Sequence, residues 1–194
     1  VYTLSMWVKR SSISYDYATL QGNSGGNNYW RFDDEDKLIG YTQKTNTNAA
    51  VSRDISGWNH IVINGRDIDT VNVWINGVAQ SITISGSGSY LSIFKSSTSI
   101  NLGYGNTSGE YFDGYMAEVH GLYNINAAAS DFGQTKEGVW IPKEYSGSYG
   151  SYGFYLKFEA SGDLGNDSSG NNNDFTASGM GADHQVLDSP TFNS

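Results

Sequence analysis

The sequence of 194 residues contains no cysteine, only two prolines and no long apolar run. The lack of cysteine excludes thiol catalysis, disulfides and thiolate metal sites. The lack of a long apolar run predicts no membrane span. Neither absence prevents folding, because a chain of this length can bury a hydrophobic core without a disulfide or a metal.

Basic residues are scarce as well. The 11 Lys and Arg stand against 20 Asp and Glu, which gives a formal net charge of −9. Phosphate backbones repel such a chain, so we expect no nucleic acid among its partners. Neutral glycans, calcium ions and other protein subunits remain as candidate partners.

Glycine, tyrosine and tryptophan are abundant, with 24, 14 and 5 copies. Aromatic and β-branched residues interrupted by Gly, Asn and Ser are typical of short strands joined by turns. The Asn76-Gly77 pair between segments 71–75 and 78–84 predicts a hairpin, because both central residues of a type I′ turn need positive φ. Apolar alternation predicts further strands at 1–10, 29–32, 38–42, 58–63, 100–103, 111–123 and 154–158.

One helix is predicted, at 124–132. Asn124 or Asn126 would cap it, and Gly133 would end it. About ten short strands with one small helix predict an all-β fold, a two-sheet antiparallel jelly-roll sandwich. We expect a sandwich core at 1–137 and a Gly/Tyr/Asn-rich extension at 138–194 that packs on the same sandwich and contributes the strand at 154–158.

Several motifs together resemble the laminin-G-like family of concanavalin-A-like lectin domains. SGWNHIVI (56–63) and DTVNVWINGVAQ (69–80) resemble the strand and hairpin of its core, and YFDGYMAEVHGLYNINAAASDFG (111–133) resembles its closing strand and short helix. Outside this core, YTLSMWVKRS (2–11) and GVWIPKEYSGSYGSYGFYLKF (138–158) are similar to domains of tailed-bacteriophage virion proteins. In those phage proteins the sequence continues at both ends, so we expect this chain to be part of a longer protein.

The resemblance implies a non-enzymatic structural or decoration protein on the virion surface. Its expected partners are other virion subunits in a symmetric assembly, and host-surface glycans. A tail-borne adhesin that binds host glycans is the first alternative, and a glycan hydrolase of the same fold is the second. The fold alone does not decide among them, because one fold supports many functions.

A glycan hydrolase would need two carboxylates that face one cleft. Glucanases of this fold carry them on one strand as Glu-x-Asp-x-x-Glu, whereas the corresponding strand here contains only Glu118. Residues two positions apart share a strand face, and at this spacing Glu118 has Met116 and His120 as neighbours. His60 and His120 lie in predicted strands, where packing is the ordinary role of a histidine. We therefore predict no catalytic residue.

Contacts with a glycan or a partner are predicted for aromatic residues beside amide groups in loops. The candidates are Trp30, Tyr104, Asn106, Tyr149 and Tyr152. Recognition loops cluster at the ends of a sandwich, which favours this placement. For Trp30, packing in the core is the alternative, because large aromatic side chains in strands are mostly buried.

The Tyr/Gly/Ser tract at 145–155 has two interpretations. Tyrosine gives a large contact area at a small entropic cost, which favours an interface with a neighbouring subunit. The alternative is an ordered loop that covers the sandwich of its own chain.

A calcium site is predicted near the end of the chain. Asp163, Asp167 and Asp174 lie in a segment rich in oxygen ligands, which calcium prefers. The alternative is a connection built from Asx turns, which Asn, Asp and Gly all favour. The acidic turn at 33–36 is a second calcium candidate. No other cofactor is predicted.

Overall fold

A computed structural model describes residues 1–14, 18–24, 28–41, 45–51, 53–67, 70–85, 93–94, 99–105 and 109–190. In chain order the strands are β1 (Tyr2–Arg10), β2 (Ala18–Asn23), β3 (Tyr29–Phe32), β4 (Lys37–Tyr41), β5 (Thr45–Val51), β6 (Asn59–Asp67), β7 (Thr70–Ile75), β8 (Val78–Ala79), β9 (Ile82–Ser85), β10 (Ile100–Leu102), β11 (Gly114–Tyr123), β12 (Gly133–Lys136), β13 (Val139–Pro142) and β14 (Phe154–Leu156). Two turns of 3-10 helix, Ala129–Asp131 and Ala182–His184, complete the described elements.

Two six-stranded sheets form the body of the molecule. The first sheet has the order β14-β11-β1-β6-β7-β8, and the second has the order β10-β2-β3-β4-β5-β9. Neighbouring strands pair antiparallel in both sheets. The predicted all-β, two-sheet sandwich is therefore confirmed. Within the described ranges, no helix is long and apolar enough to cross a bilayer.

The core between the sheets follows from alternation along the strands. Leu4, Met6 and Val8 of β1 point inward and are at most 1% exposed. From the second sheet, Trp30 and Phe32 meet them in the same cluster. The side chains between these positions point to the outer face of each sheet, since successive residues of a strand alternate.

The Asn76-Gly77 hairpin forms as predicted. Both residues have positive φ, at 50° and 78°. A side chain at Gly77 would also collide with the ring of Trp140, so glycine is required there for two reasons. The predicted return strand at 78–84 is divided in the structure: β8 pairs with β7 in the first sheet, whereas β9 pairs with β5 in the second. The chain thus crosses from one sheet to the other after Ala79.

The predicted helix at 124–132 is wrong in length and type, since one turn of 3-10 helix at Ala129–Asp131 replaces it. Asn124 has φ of 57°, which lies outside the helical region. The Thr3 hydroxyl donates to the carbonyl of Ile125 and accepts from the amide of Ala127. Tertiary contacts thus occupy the backbone groups that a longer helix would use.

Sequence patterns also missed four strands of the structure, namely β2, β5, β12 and β13.

The segment after β11 forms a third layer over the outer face of the first sheet. A second apolar cluster joins this face to the layer, and its buried members are Val62, Leu122, Ala127, Ala129 and Phe132. Trp74, Trp140, Tyr145 and Tyr149 pack around it. Strand β14 then pairs with β11 at the edge of the first sheet. The proposed division after residue 137 stays a prediction.

A buried ion pair joins the two sheets at one end. Arg10 ends β1, and its Nη2 donates to Oδ1 of Asp36 in the β3–β4 turn, at 2.9 Å. Ser14 and Arg53 donate to the same carboxylate at 2.7 and 3.0 Å. Burial alone would raise the pKa of Asp36, but these hydrogen bonds from Ser14, Arg53 and Arg10 hold it below its ordinary value.

Asp36→Asn is expected to destabilise the fold by about 3–5 kcal/mol, because it leaves Arg10 buried without its counter-ion. Since the pKa of Asp36 is lowered in the folded state, its contribution is present above the unfolded value and is lost as the pH falls through the folded value. Guanidinium unfolding at pH 7 measures the loss. Asp34→Asn, at an exposed position of the same turn, is the control. Equal stability of the two variants would contradict a role for this ion pair.

Candidate functional site

Trp30 lies in the core and not at a binding surface. Its side chain is 1% exposed and its ring packs over Gly40. The indole N–H donates to the hydroxyl of Tyr2 at 3.3 Å. The prediction of a glycan or partner contact is therefore wrong for Trp30, and the packing alternative is correct.

The other aromatic candidates are in three different environments. Tyr149 is half-buried in the third layer, where the described tract 145–155 packs on its own first sheet. Tyr152 is 62% exposed and meets Tyr123 edge-on. Tyr104 is half-buried and stacks on Tyr111 at 5.1 Å. Asn106 lies outside the described residues.

Two buried histidines of the first sheet, His60 on β6 and His120 on β11, lie beneath the third layer. His60 lies between the rings of Trp7 and Trp140, with centroid distances of 4.7 and 6.0 Å. The Trp140 indole can only donate, so Nδ1 of His60 is its acceptor at 2.9 Å. The imidazole is therefore neutral with its proton on Nε2, which donates to the hydroxyl of Ser5 at 2.9 Å. Burial lowers the pKa of His60 to about 3.

His120 lies on the same covered face of the first sheet. It stacks on Tyr155 at 4.1 Å, and its Nδ1 lies 3.0 Å from the hydroxyl of Tyr149. Burial and then the neighbouring His60 lower the pKa of His120 to about 3. Burial also raises the pKa of Tyr149 and Tyr155. These groups are therefore held neutral at physiological pH, which suits packing.

Glu118 lies at an irregularity of β11. Its φ is 49°, and the register between β1 and β11 shifts beside it, between the pairs of Ser5 and Trp7. The expectation that Met116 shares its face is wrong, because the bulge turns Met116 toward the inner core. The carboxylate accepts a hydrogen bond from Tyr155, and Nε2 of His120 lies 3.9 Å away. Both of these groups lie on the covered face of the first sheet.

Asp167 organises the segment that was predicted to bind calcium. Its two carboxylate oxygens accept from the amides of Tyr155, Ser169 and Asn173 and from the Ser169 hydroxyl, at 2.8–2.9 Å. Asp174 accepts from the amide of Asp167, and Asp163 is exposed. The arrangement is the Asx-turn connection that was the alternative to calcium.

No group of three acidic or histidine side chains among the described residues converges as a metal site would require. In the turn at 33–36, Asp33 accepts from the amides of Glu35 and Lys37, and Asp36 pairs with arginines. Calcium binding at either segment stays a prediction.

A cleft of about 1370 Å³ opens beneath the segment 184–190. Core side chains such as Phe154, Leu156 and Phe158 line much of it. Tyr104 and its stacking partner Tyr111 line the cleft as well.

The outer face of the second sheet carries the remaining aromatic cluster. Trp30, Phe32 and Leu38 point inward, so Tyr29, Arg31, Ile39 and Tyr41 point outward from β3 and β4. Tyr29 and Tyr41 are directly paired across the strands and stack at 5.3 Å. The guanidinium of Arg31 lies over Tyr29, 4.5 Å from the ring centroid.

The loop between β10 and β11 extends this face. A side chain at Gly22 of β2 would collide with Tyr104 and Gly105, so the loop lies directly on β2. Glu110 reaches Arg31 at 3.7 Å, and Tyr111 is 56% exposed beside Tyr104. We call Tyr29, Arg31, Tyr41, Tyr104, Glu110 and Tyr111 the tyrosine face. Period-two alternation could have placed Tyr29 and Tyr41 on it, but the position of Tyr111 depends on the loop.

The model of a family described as the concanavalin A-like lectin/glucanases superfamily matches residues 1–126 of this chain. The chain belongs to this family. Residues 127–190, which include most of the third layer, lie beyond the matched region.

Comparisons with individual proteins add little. No curated protein sequence matches the chain. A crystal structure described as a candidate carbohydrate-binding protein from Bacteroides ovatus ATCC 8483 is similar at 15% identity and a TM-score of 0.49. The similarity covers 62% of this chain and 36% of that protein. Nothing about the function of this chain follows from a likeness of this size.

Removing metal ions is expected to leave the melting temperature unchanged, because protein donors already occupy the carboxylate of Asp167. Asp167→Ala is expected to destabilise the fold by roughly 2–3 kcal/mol, through loss of hydrogen bonds to a charged acceptor. Thermal melts with EDTA and with added calcium measure the first effect. Asp163→Ala, at an exposed position of the same segment, is the control. A rise in melting temperature with calcium would contradict the Asx-turn interpretation.

Acid is expected to weaken the fold through His60 and His120. Their pKa values fall from 6.5 in the unfolded chain to about 3 in the folded state, so stability is complete above 6.5 and declines as the pH falls toward 3. At pH 5 each histidine should lower the free energy of unfolding by roughly 2 kcal/mol relative to its value above pH 6.5.

Guanidinium unfolding at pH 7.5 and 5 measures this loss. His120→Gln should reduce the difference between the two pH values, whereas His184→Gln, which changes an exposed side chain, should not. Equal stability of the unmodified chain at both pH values would show that the histidines are not buried in this way.

Proposed function

We propose that the chain is a non-catalytic glycan-binding domain that uses the tyrosine face and is displayed on the surface of a bacteriophage virion. The observation that carries the proposal is the difference between the two outer faces of the sandwich. The third layer covers one face, whereas the other presents two stacked tyrosine pairs beside an ion pair.

The chemistry of this face supports a sugar ligand. A tyrosine ring offers an apolar surface to the C–H groups of a sugar, and its hydroxyl can donate or accept a hydrogen bond. Tyr41 and Tyr111 are 36% and 56% exposed, so a ligand can reach both pairs. The ion pair of Arg31 and Glu110 lies on the same face, with the guanidinium over the ring of Tyr29.

The absence of catalysis is part of the proposal. Hydrolysis needs an acid and a second carboxylate across a cleft. The carboxylate of Glu118 accepts a hydrogen bond from Tyr155 of β14, which favours a structural role over that of acid or nucleophile.

The virion context is proposed from the sequence resemblance to phage proteins. Two roles fit a glycan-binding domain there: decoration of the particle together with neighbouring subunits, or host recognition at the tail. Cryo-EM of the particle distinguishes them. Many symmetric copies mean decoration, whereas a few copies at a tail tip mean an adhesin.

Glycan binding is tested with the purified chain on an array of neutral and acidic oligosaccharides and bacterial surface glycans. For any glycan bound, Tyr41→Ala and Tyr111→Ala should each weaken the affinity roughly tenfold, by loss of one stacking contact. Tyr115→Ala removes a tyrosine that is 41% exposed on the first sheet and is the matched control. The proposal fails if no glycan binds, or if Tyr115→Ala weakens binding as much as Tyr41→Ala does.

A further inference from the structure

The cleft lies between the edges of the two sheets and has apolar walls. Strand β14 is the edge of the first sheet and β10 is an edge of the second, and residues of both strands line the cleft. Several apolar side chains of its wall pack against the main core and yet are only half-buried, among them Leu102, Phe112, Met116, Phe158 and Phe175. Apolar surface that remains accessible in one concave region is typical of a ligand site.

A strap formed by residues 184–190 crosses the cleft. Near its start, Nε2 of Gln185 donates to two carbonyls just after β14, at 2.6 and 2.9 Å. Near its end, Asp188 accepts from Nζ of Lys9 on β1, at 2.9 Å. The strap therefore runs from the edge strand of the first sheet to its central strand.

These contacts hold the strap weakly. The side chains of Lys9 and Asp188 are 25% and 41% exposed, and an ion pair this accessible contributes little to stability. Of the residues in the strap only Pro190 is buried, and Leu187 is 95% exposed. A segment with few buried apolar contacts opens at a small cost in free energy while the rest of the domain stays folded.

Carboxylates set the charge at the mouth of the cleft. Glu118 and Asp174 line it with accessible side chains, and each accepts a hydrogen bond from an uncharged donor. The basic side chains of the lining, Lys157 and His184, lie 3.8 and 3.0 Å from carboxylates outside it. Among the described residues, no cation is thus left to balance Glu118 and Asp174, which favours a cationic group in the ligand.

We propose that the cleft binds a small molecule with an elongated apolar body and one cationic group, and that the strap opens to admit it, with Lys9 and Asp188 as the latch. The half-buried apolar side chains receive the body, and the carboxylates of Glu118 and Asp174 attract the cationic group. The site shares only Tyr104 and Tyr111 with the tyrosine face and does not depend on glycan binding.

The test uses linear amines, alcohols and carboxylic acids of six, eight and ten carbons as probes, each below its micelle concentration. Isothermal titration at pH 7.5 measures their affinities. The affinity of the amines should rise about fourfold for each added methylene, because each one buries apolar surface. Decanoate should bind roughly tenfold or more weakly than decylamine, because its charge is repelled at the mouth.

The three methionines report where the probes bind. Met116 and Met180 line the cleft, whereas Met6 is 0% exposed in the core and lies outside the lining. In a chain labelled with 13C at the methionine methyl groups, decylamine should shift the NMR signals of Met116 and Met180 and leave that of Met6 in place.

The variant Glu118→Gln isolates the charge effect. It should weaken decylamine binding about fivefold, by loss of one accessible ionic contact, and should leave decanol binding unchanged. Glu137→Gln changes an exposed residue outside the cleft and is the matched control. A thermal melt of each variant confirms that it is folded.

The variant Asp188→Asn isolates the latch. It should speed the association of decanol roughly threefold or more in stopped-flow mixing, because the strap then opens more often. Decanol carries no charge, so the lost carboxylate has no direct effect on it. Asp183→Asn removes a carboxylate that contacts His184 and is 85% exposed, and it should leave this rate unchanged.

Each outcome bears on one part of the proposal. A signal of Met116 that no probe shifts, or an affinity that does not rise with chain length, would overturn the site. Decanoate binding as tight as that of decylamine would overturn the cationic ligand class, and an unchanged association rate for folded Asp188→Asn would overturn the latch. The proposed glycan binding is tested separately on the array, with Tyr41→Ala outside this cleft.

Discussion

The burial of β1 on both faces is the constraint on which the rest of the structure depends. This strand is hydrogen-bonded to β6 on one side and to β11 on the other, and every one of its residues except Lys9 is buried. Its inner side chains make the main core. Its outer side chains include Thr3 and Ser5, whose hydroxyls have no access to water and must find partners in the protein. The third layer supplies the partners of Thr3, and the His60 ring joins Ser5 to Trp140 of that layer.

The same constraint makes the two outer faces unequal. The face behind β1 is closed by aromatic rings and neutral histidines, so its polar groups are already satisfied. Among the described residues, no comparable layer covers Tyr41 on the face of β3 and β4, and its side chain is 36% exposed. Arg31 and Glu110 form an ion pair on the open face, whereas on the closed face the carboxylate of Glu118 accepts from the Tyr155 hydroxyl. The difference between the two outer faces is therefore a property of the sandwich as a whole.

Local patterns predicted the Asn76-Gly77 turn. They also predicted the strands that have one buried and one polar face, such as β3 and β4. They failed where distant contacts decide. The segment 124–132 contains residues suited to a helix. Its backbone instead bonds to the hydroxyl of Thr3, which lies 122 residues before Ile125. Trp30 follows an Asn-rich segment of the sequence, yet the alternation of side chains along β3 points its ring into the core. The tyrosine face needed both alternation, which the sequence shows, and the docking of a loop on Gly22, which it does not.

The central position of β1 also has a consequence for the order of assembly. Its partner β11 is formed by Gly114–Tyr123, and the side chain of Thr3 bonds to Ile125. During synthesis the first strand therefore emerges long before its neighbours at the centre of the sheet exist. Folds dominated by such distant pairings form slowly, and an unpaired apolar strand is prone to association with other chains. In this domain, β1 stays exposed until β6, β11 and the segment that forms the third layer have been synthesised and have packed against it.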